Sequence, residues 1–140
     1  MKNVNTKIPG PSKKVYVASP LRAPTRSDVR KNMNYALRVV EMIRLKRPDI
    51  RAYAPHGYLP DMLDDNFQDE RELALTIGRM VLSSCDTIFV CGDRISAGMK
   101  EEINVAIKEG KEIVSSKRLQ HAVQQYVDSV TTEPEGGEAA

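Results

Sequence analysis

The chain has 140 residues, 41% hydrophobic and 29% charged, the size and make-up of one domain with one core. Its 21 basic and 19 acidic side chains leave a net charge of +2, which argues against binding a nucleic-acid polymer or a membrane surface. No apolar run approaches about 18 residues, Met1–Lys14 has no apolar stretch, and Cys85 and Cys91 make neither a disulfide framework nor a metal cluster, so a reduced, cytoplasmic protein with no spanning helix or secretory signal is expected.

Residues 1–12 mix Lys, Asn, Gly and Pro without periodicity, and 131–140 hold three glutamates and no large apolar group. Neither segment offers enough apolar surface to offset its ordering entropy, so both are expected to be disordered around a domain at 13–130. Within that domain Val15–Ala18 is a short apolar run closed by Ser19-Pro20, a buried-strand signature. From Ser27 or Asp28 to Leu45, the residues Val29, Met33, Ala36, Leu37, Val40 and Ile43 recur at helical spacing, with Pro48 beyond the end. Ile50–Ala54 reads as a second strand, closed by Pro55. After a Pro- and Asp-containing loop, a helix is expected from Asp69 to Ser84, with Leu73, Ile77, Met80, Val81 and Ser84 as its core stripe. Thr87–Cys91 is the clearest strand. A helix over Gly98–Glu109 ends before Gly110, a strand over Glu112–Val114 follows, and Leu119–Val130 forms a last amphipathic helix.

Strict alternation of strands and helices predicts an α/β fold, a Rossmann-like (flavodoxin-like) three-layer sandwich on a four- to five-stranded parallel sheet. Ligands of such sheets sit at the carboxyl ends of the strands. That directs attention to the segments 19–27, 55–65 and 92–102.

The third of these is the most informative. Between Cys91 and the following helix lie Gly92, Asp93, Arg94, Ile95, Ser96, Ala97 and Gly98. The N–H groups at a helix start suit an anion, Ser96 adds a hydroxyl and Gly98 allows close approach; a plain N-cap and a plain turn are the alternatives. On a helical wheel Glu101 points away from the Met99–Ile103–Ala106–Ile107 face, whereas Glu102 lies beside it, roughly 85° from its centre. Glu102 is therefore expected to be partly buried near the helix start, where a carboxylate can be a nucleophile or a boundary ion-pair partner. The first loop offers Ser19, Pro20, Leu21, Arg22 and Arg26, which can clamp a phosphate or the polar edge of a base, or be simply solvated. His56 follows Pro55 at a strand end. There is no G-x-G-x-x-G after the first strand, no G-x-x-x-x-G-K-[ST] and no H-E-x-x-H, which disfavours NAD, P-loop and zinc chemistry. The acidic run Asp61, Asp64, Asp65, Asp69, Glu70 has no calcium-loop spacing and reads as a solvated turn.

Three features together resemble the nucleoside 2-deoxyribosyltransferase-like superfamily: Val15–Ala18 followed by Ser19-Pro20-Leu21-Arg22; Cys85-Asp86 before Thr87–Cys91; and Ser96-x-Gly98-x-x-x-Glu102-Ile103-x-x-Ala106. The runs Asp64–Leu73 and Gly92–Lys100 look like a short bacterial and phage branch of it, one with no assigned activity, and the resemblance spans about residues 14–115. It implies that Glu102 is the nucleophile that attacks the anomeric carbon, as in the 2′-deoxynucleoside 5′-phosphate N-hydrolases, with Ser96 and Gly98 on a 5′-phosphate. The ligand-binding set expected on this basis is Ser19, Pro20, Leu21, Arg22, Arg26, His56, Asp93, Ser96, Gly98 and Met99. One departure stands out: the enzymes have an Asp where this chain has Gly78, and that Asp serves the leaving base or the sugar.

The expected function is thus N-glycosidic cleavage or transfer on a nucleoside 5′-monophosphate-like substrate. The alternative is a pocket that binds a nucleotide or nucleotide-derived signal without turnover. No cofactor or metal is expected. Leu75, Gly78 and Leu82 form a second strip opposite the expected core stripe of their helix, which predicts a homodimer or higher homo-oligomer through that helix.

Overall fold

A computed structural model describes residues 3–132; the expected tail beyond 132 lies outside the described residues. Four parallel strands, β1 (Lys14–Ala18), β2 (Arg51–Tyr53), β3 (Thr87–Val90) and β4 (Glu112–Ser115), form one sheet in the order β2-β1-β3-β4. The helices between and after them are α1 (Arg26–Lys46), α2 (Gln68–Ser84), α3 (Ala97–Lys108) and α4 (Gln120–Thr131). This is a Rossmann-like three-layer sandwich with the flavodoxin-type strand order, and its switch point lies between β1 and β3.

Alternation along β1 sorts the core into two layers. Val15 and Val17 pack with Ala36 and Ile43 of α1 and with Ile50 and Ala52. Tyr16 and Ala18 face the other way, onto Leu82 of α2, Met99, Ile103 and Ala106 of α3, and Val123 and Val127 of α4. Both faces of the central strands are covered, which is why they read as unbroken apolar runs.

Element boundaries differ from expectation by a residue or two, with one informative shift. The first helix is capped by Thr25, whose hydroxyl accepts from Asp28 N at 3.0 Å, rather than by Ser27 or Asp28, so Ser27 and Asp28 lie inside its first turn. The loop after β2 contains two 3₁₀ turns, Pro55–Gly57 and Leu59–Asp61. Its acidic residues serve local structure: Asp61 accepts from both terminal nitrogens, Nη1 and Nη2, of Arg30, and Glu70 accepts from Asp64 N at 2.8 Å.

Two expectations are corrected. The inward face of α2 is not the full stripe Leu73–Ile77–Met80–Val81–Ser84: Val81 does pack against the core, but Leu73 is 48% and Met80 67% exposed, while Leu82 is 1% exposed and belongs to the core. The helix is rotated so that Leu82 packs inward and Gly78 lies beside Tyr16, which splits the strip Leu75–Gly78–Leu82 and removes it as a continuous outer surface. The second correction concerns the amino-terminal segment, of which residues 3–12 are described and ordered against the domain. Val4 is 3% exposed in the core cluster of α4, Asn5 makes a parallel bridge to Val114 at the β4 edge, and Ser12 Oγ lies 2.6 Å from Thr87 Oγ1.

Candidate functional site

The loops leaving β1, β2 and β3 meet at the carboxyl edge of the sheet. The first and third are in direct contact. Gly92 has φ +112°, and a Cβ there would stand 2.6 Å from Pro20 Cδ, so backbone conformation and space both require glycine. The first loop is further held by Asn32 of α1, whose Nδ2 donates to Leu21 O at 2.9 Å. Ser19 is buried and its Oγ lies 2.7 Å from His56 Nε2, which ties the first loop to the second. Burial drives the His56 imidazole down to about 4, so it is neutral at pH 7 and works as a hydrogen-bonding group without charge.

The arginines of the edge are solvated. Arg22 and Asp65 are 4.0 Å apart with both side chains exposed, and Arg94 pairs with Asp93 at 3.2 Å while reaching Arg22 O at 3.5 Å. Arg26 is exposed in the first turn of α1. Ser96 caps α3: its Oγ accepts from Met99 N at 3.3 Å, and its own N–H reaches Met99 Sδ at 3.3 Å. That gives Ser96 the plain capping role. Gly98 is exposed with no atom within 4 Å of a would-be Cβ, so nothing in the chain itself requires glycine there. Met99 is corrected from a ligand contact to a core residue. It is 1% exposed on the apolar face it shares with Ile103 and Ala106, and its sulfur closes the helix start.

Glu102 has the environment its wheel position predicts: Glu101 is exposed and Glu102 half-buried. What the sequence reading missed is its partner. The Tyr16 hydroxyl, rising from the middle of β1, donates a short hydrogen bond to Glu102 Oε2. Burial, helped by the charge of Glu101, raises the Glu102 carboxyl to about 7 against the lowering effects of the Tyr16 hydrogen bond and of Arg79. Tyr16, 2% exposed, is pushed well above the ordinary phenol value by its burial and then by the neighbouring carboxylate, so it stays a proton donor. A would-be Cβ on Gly78 would lie 3.8 Å from the Tyr16 hydroxyl, with no other contact within 4 Å. The glycine thus leaves open the space into which a side chain from α2 would reach. A carboxyl near pH 7, a phenol and an adjoining vacancy are what a nucleophilic or proton-transferring site needs. The signal for Tyr16 was present in sequence: a hydroxyl in the middle of a strand buried on both faces must find a partner.

Two concavities flank the loop 92–95, and Glu102 lines neither. One, about 320 Å³, lies between that loop, α1 and the end of β4. The other, about 480 Å³, is an open groove against α4, where Lys100 lies over the Tyr126 ring at 5.5 Å. No helix among the described residues is long and apolar enough to cross a membrane.

The parallel sheet, its carboxyl-edge loops and the α3 carboxylate define an α/β domain of the doubly wound class. Residues 13–116 match the family described as a domain of unknown function (DUF7768), and the chain belongs to that family. No curated protein gives a match.

Proposed function

We propose that the protein cleaves, or transfers across, the N-glycosidic bond of a nucleoside 5′-monophosphate-like substrate, with Glu102 as nucleophile. The carrying observation is the Tyr16–Glu102 hydrogen bond, which fixes one carboxylate oxygen of a half-buried glutamate. The free oxygen attacks the anomeric carbon as the bond from that carbon to the base nitrogen breaks, and the base leaves with the electron pair and takes up a proton. Water, or a second base, then attacks the glycosyl ester and restores the carboxylate. The Tyr16 phenol stays protonated and holds the carboxylate in register. The exposed edge arginines, Arg22 and Arg26, supply the cationic rim a phosphate needs.

Gly78 favours a second reading, in which the same pocket binds a nucleotide or nucleotide-derived signal unchanged. A departing base needs a proton, and the residue beside the Tyr16 hydroxyl on α2 carries no acid. Chromatography of a panel of ribo- and deoxyribonucleoside 5′-monophosphates after incubation separates the two. The first reading expects free base, reduced about 10³-fold or more in Glu102→Gln. Absence of base release from every nucleotide, NAD-type substrates included, rejects it. Calorimetry showing binding of intact ligand that Glu102→Gln leaves unchanged then supports the second.

The protein also pairs with a second copy of itself through α2 in this reading. The exposed apolar side chains of its outward face, Leu73 and Met80, are the surface such a partner would cover.

A further inference from the structure

We propose that the concavity between α1 and the ends of β1, β3 and β4 binds a small molecule bearing an oxyanion, a carboxylate or a phosphate monoester, through the Arg118 guanidinium and the Ser116 hydroxyl, independently of Glu102. The concavity lies on the α1 face of the sheet, whereas the Tyr16–Glu102 pair lies on the α3 face. Its volume of about 320 Å³ falls within the range of small-molecule sites, roughly 300–1,000 Å³. It sits at the β1/β3 switch point, where the strand order of such sheets opens a crevice.

The wall chemistry selects the ligand. Ser116 N donates to Val90 O at 2.9 Å, and Ser116 O accepts from Leu119 N at 3.1 Å and Ser115 Oγ at 3.0 Å, so its main chain is committed. Its Oγ is buried and has no hydrogen-bond partner: Ser116 stands at the N-cap of the 3₁₀ turn Lys117–Leu119, but its side chain makes no cap hydrogen bond. A buried hydroxyl left in that state is costly, and a turn about Cα–Cβ toward the concavity that Ser116 lines would present it to a bound oxyanion. Two residues on, Arg118 brings a guanidinium to the same wall and makes no ion pair with any described residue. The nearby carboxylate, Asp93, is already matched by Arg94 at 3.2 Å and does not oppose an anion. Asn32 gives one amide N–H to Leu21 O, which fixes its side chain, and the Tyr35 hydroxyl abuts the Cys91 thiol and the Gly92 backbone, so these two shape the inner wall. The wall thus offers an unpaired cation and an unpartnered hydroxyl, the pair that recognises a carboxylate or phosphate oxygen.

The test is an amide-resolved NMR titration of the full chain with inorganic phosphate and, separately, acetate. Saturable shifts at 116–118 with at least one anion are expected, and the preferred anion tells phosphate from carboxylate. Arg118→Gln should weaken binding about tenfold, and Ser116→Ala about threefold without lowering the Tm of the free protein. Glu102→Gln should leave the affinity unchanged, which keeps this site separable from the nucleotide reading. The proposal is overturned by no saturable shift with either anion, by undiminished affinity in Arg118→Gln, by loss of binding in Glu102→Gln, or by a lowered Tm in free Ser116→Ala.

Discussion

At the residue scale the Tyr16–Glu102 pair makes a statement about pH. The Glu102 carboxyl has an ordinary value of 4.5 and is raised to about 7 in the folded chain, chiefly by burial. Between those values the folded state binds the proton that the unfolded state has released. The contribution to stability is therefore full below pH 4.5 and is lost as pH rises through about 7. Each tenfold change in proton affinity is worth about 1.4 kcal/mol, so the loss is on the order of 3 kcal/mol. Glu102→Gln keeps an acceptor for the Tyr16 hydroxyl and carries no charge. It should match the wild type in denaturant melts at pH 4 and exceed it at pH 8; equal stability differences at both would contradict the raised value. Tyr16→Phe removes the bond that holds the carboxyl down, so a carbon-13 titration of Glu102 should show its midpoint moving above about 7. An unchanged or lowered midpoint would show that the phenol does not donate to the carboxylate. Glu102 was legible in the sequence because position on a helical wheel is local information. Tyr16 is its partner across 86 residues of sequence, and only the register of β1 against α3 brings the two together.

At the element scale α2 shows what helical periodicity conveys and what it leaves open. The spacing of Leu73, Ile77 and Met80 is helical, and the helix is there at Gln68–Ser84. A helix with apolar residues on two sides has two candidate inner faces, and periodicity alone does not choose between them. The choice is made by the core: Leu82 packs inward with Tyr16 and Ile88, and Gly78, four residues earlier, turns the same way toward the Tyr16 hydroxyl. Leu73 and Met80 are left outward, with Phe67 also exposed just before the helix. Leu73, the half-buried Ile77 and Met80 share one face of the helix at i, i+4 and i+7, the spacing by which two helices pack. Leu73→Glu with Met80→Glu should convert a dimer measured by light scattering at micromolar concentration into a monomer without lowering the Tm of the isolated domain. A wild type that is strictly monomeric, or a double variant that stays dimeric, would remove α2 as the interface.

On the scale of the whole molecule, the alternation of strands and helices specified the sheet and its layers, because right-handed crossovers leave few other arrangements. The role of the first dozen residues was not legible, since it depends on a few isolated contacts rather than on a pattern. Val4 fills a gap beside Leu119, Val123 and Val127, with its N–H on Gln124 Oε1 at 2.8 Å. Asn5 O accepts from Ser115 N at 2.9 Å, so the outer edge of β4 is partly paired instead of open. Ile8 packs on the other core layer, and its carbonyl accepts from Arg47 Nη1 at 3.1 Å. The segment therefore straps the β4 edge to the end of α1 and joins the two layers on either side of the sheet. Burial of one valine contributes about 1.5–3 kcal/mol, and each strap hydrogen bond about 1 kcal/mol net. Deletion of residues 1–10 should lower stability by about 3 kcal/mol and Tm by roughly 10 °C, with the larger share recovered in a chain that loses only residues 1–3. Calorimetry of the three chains checks this. A deletion to residue 10 that melts with the full chain would mean that the strap adds nothing to the fold, and that the β4 edge is stable without its partner.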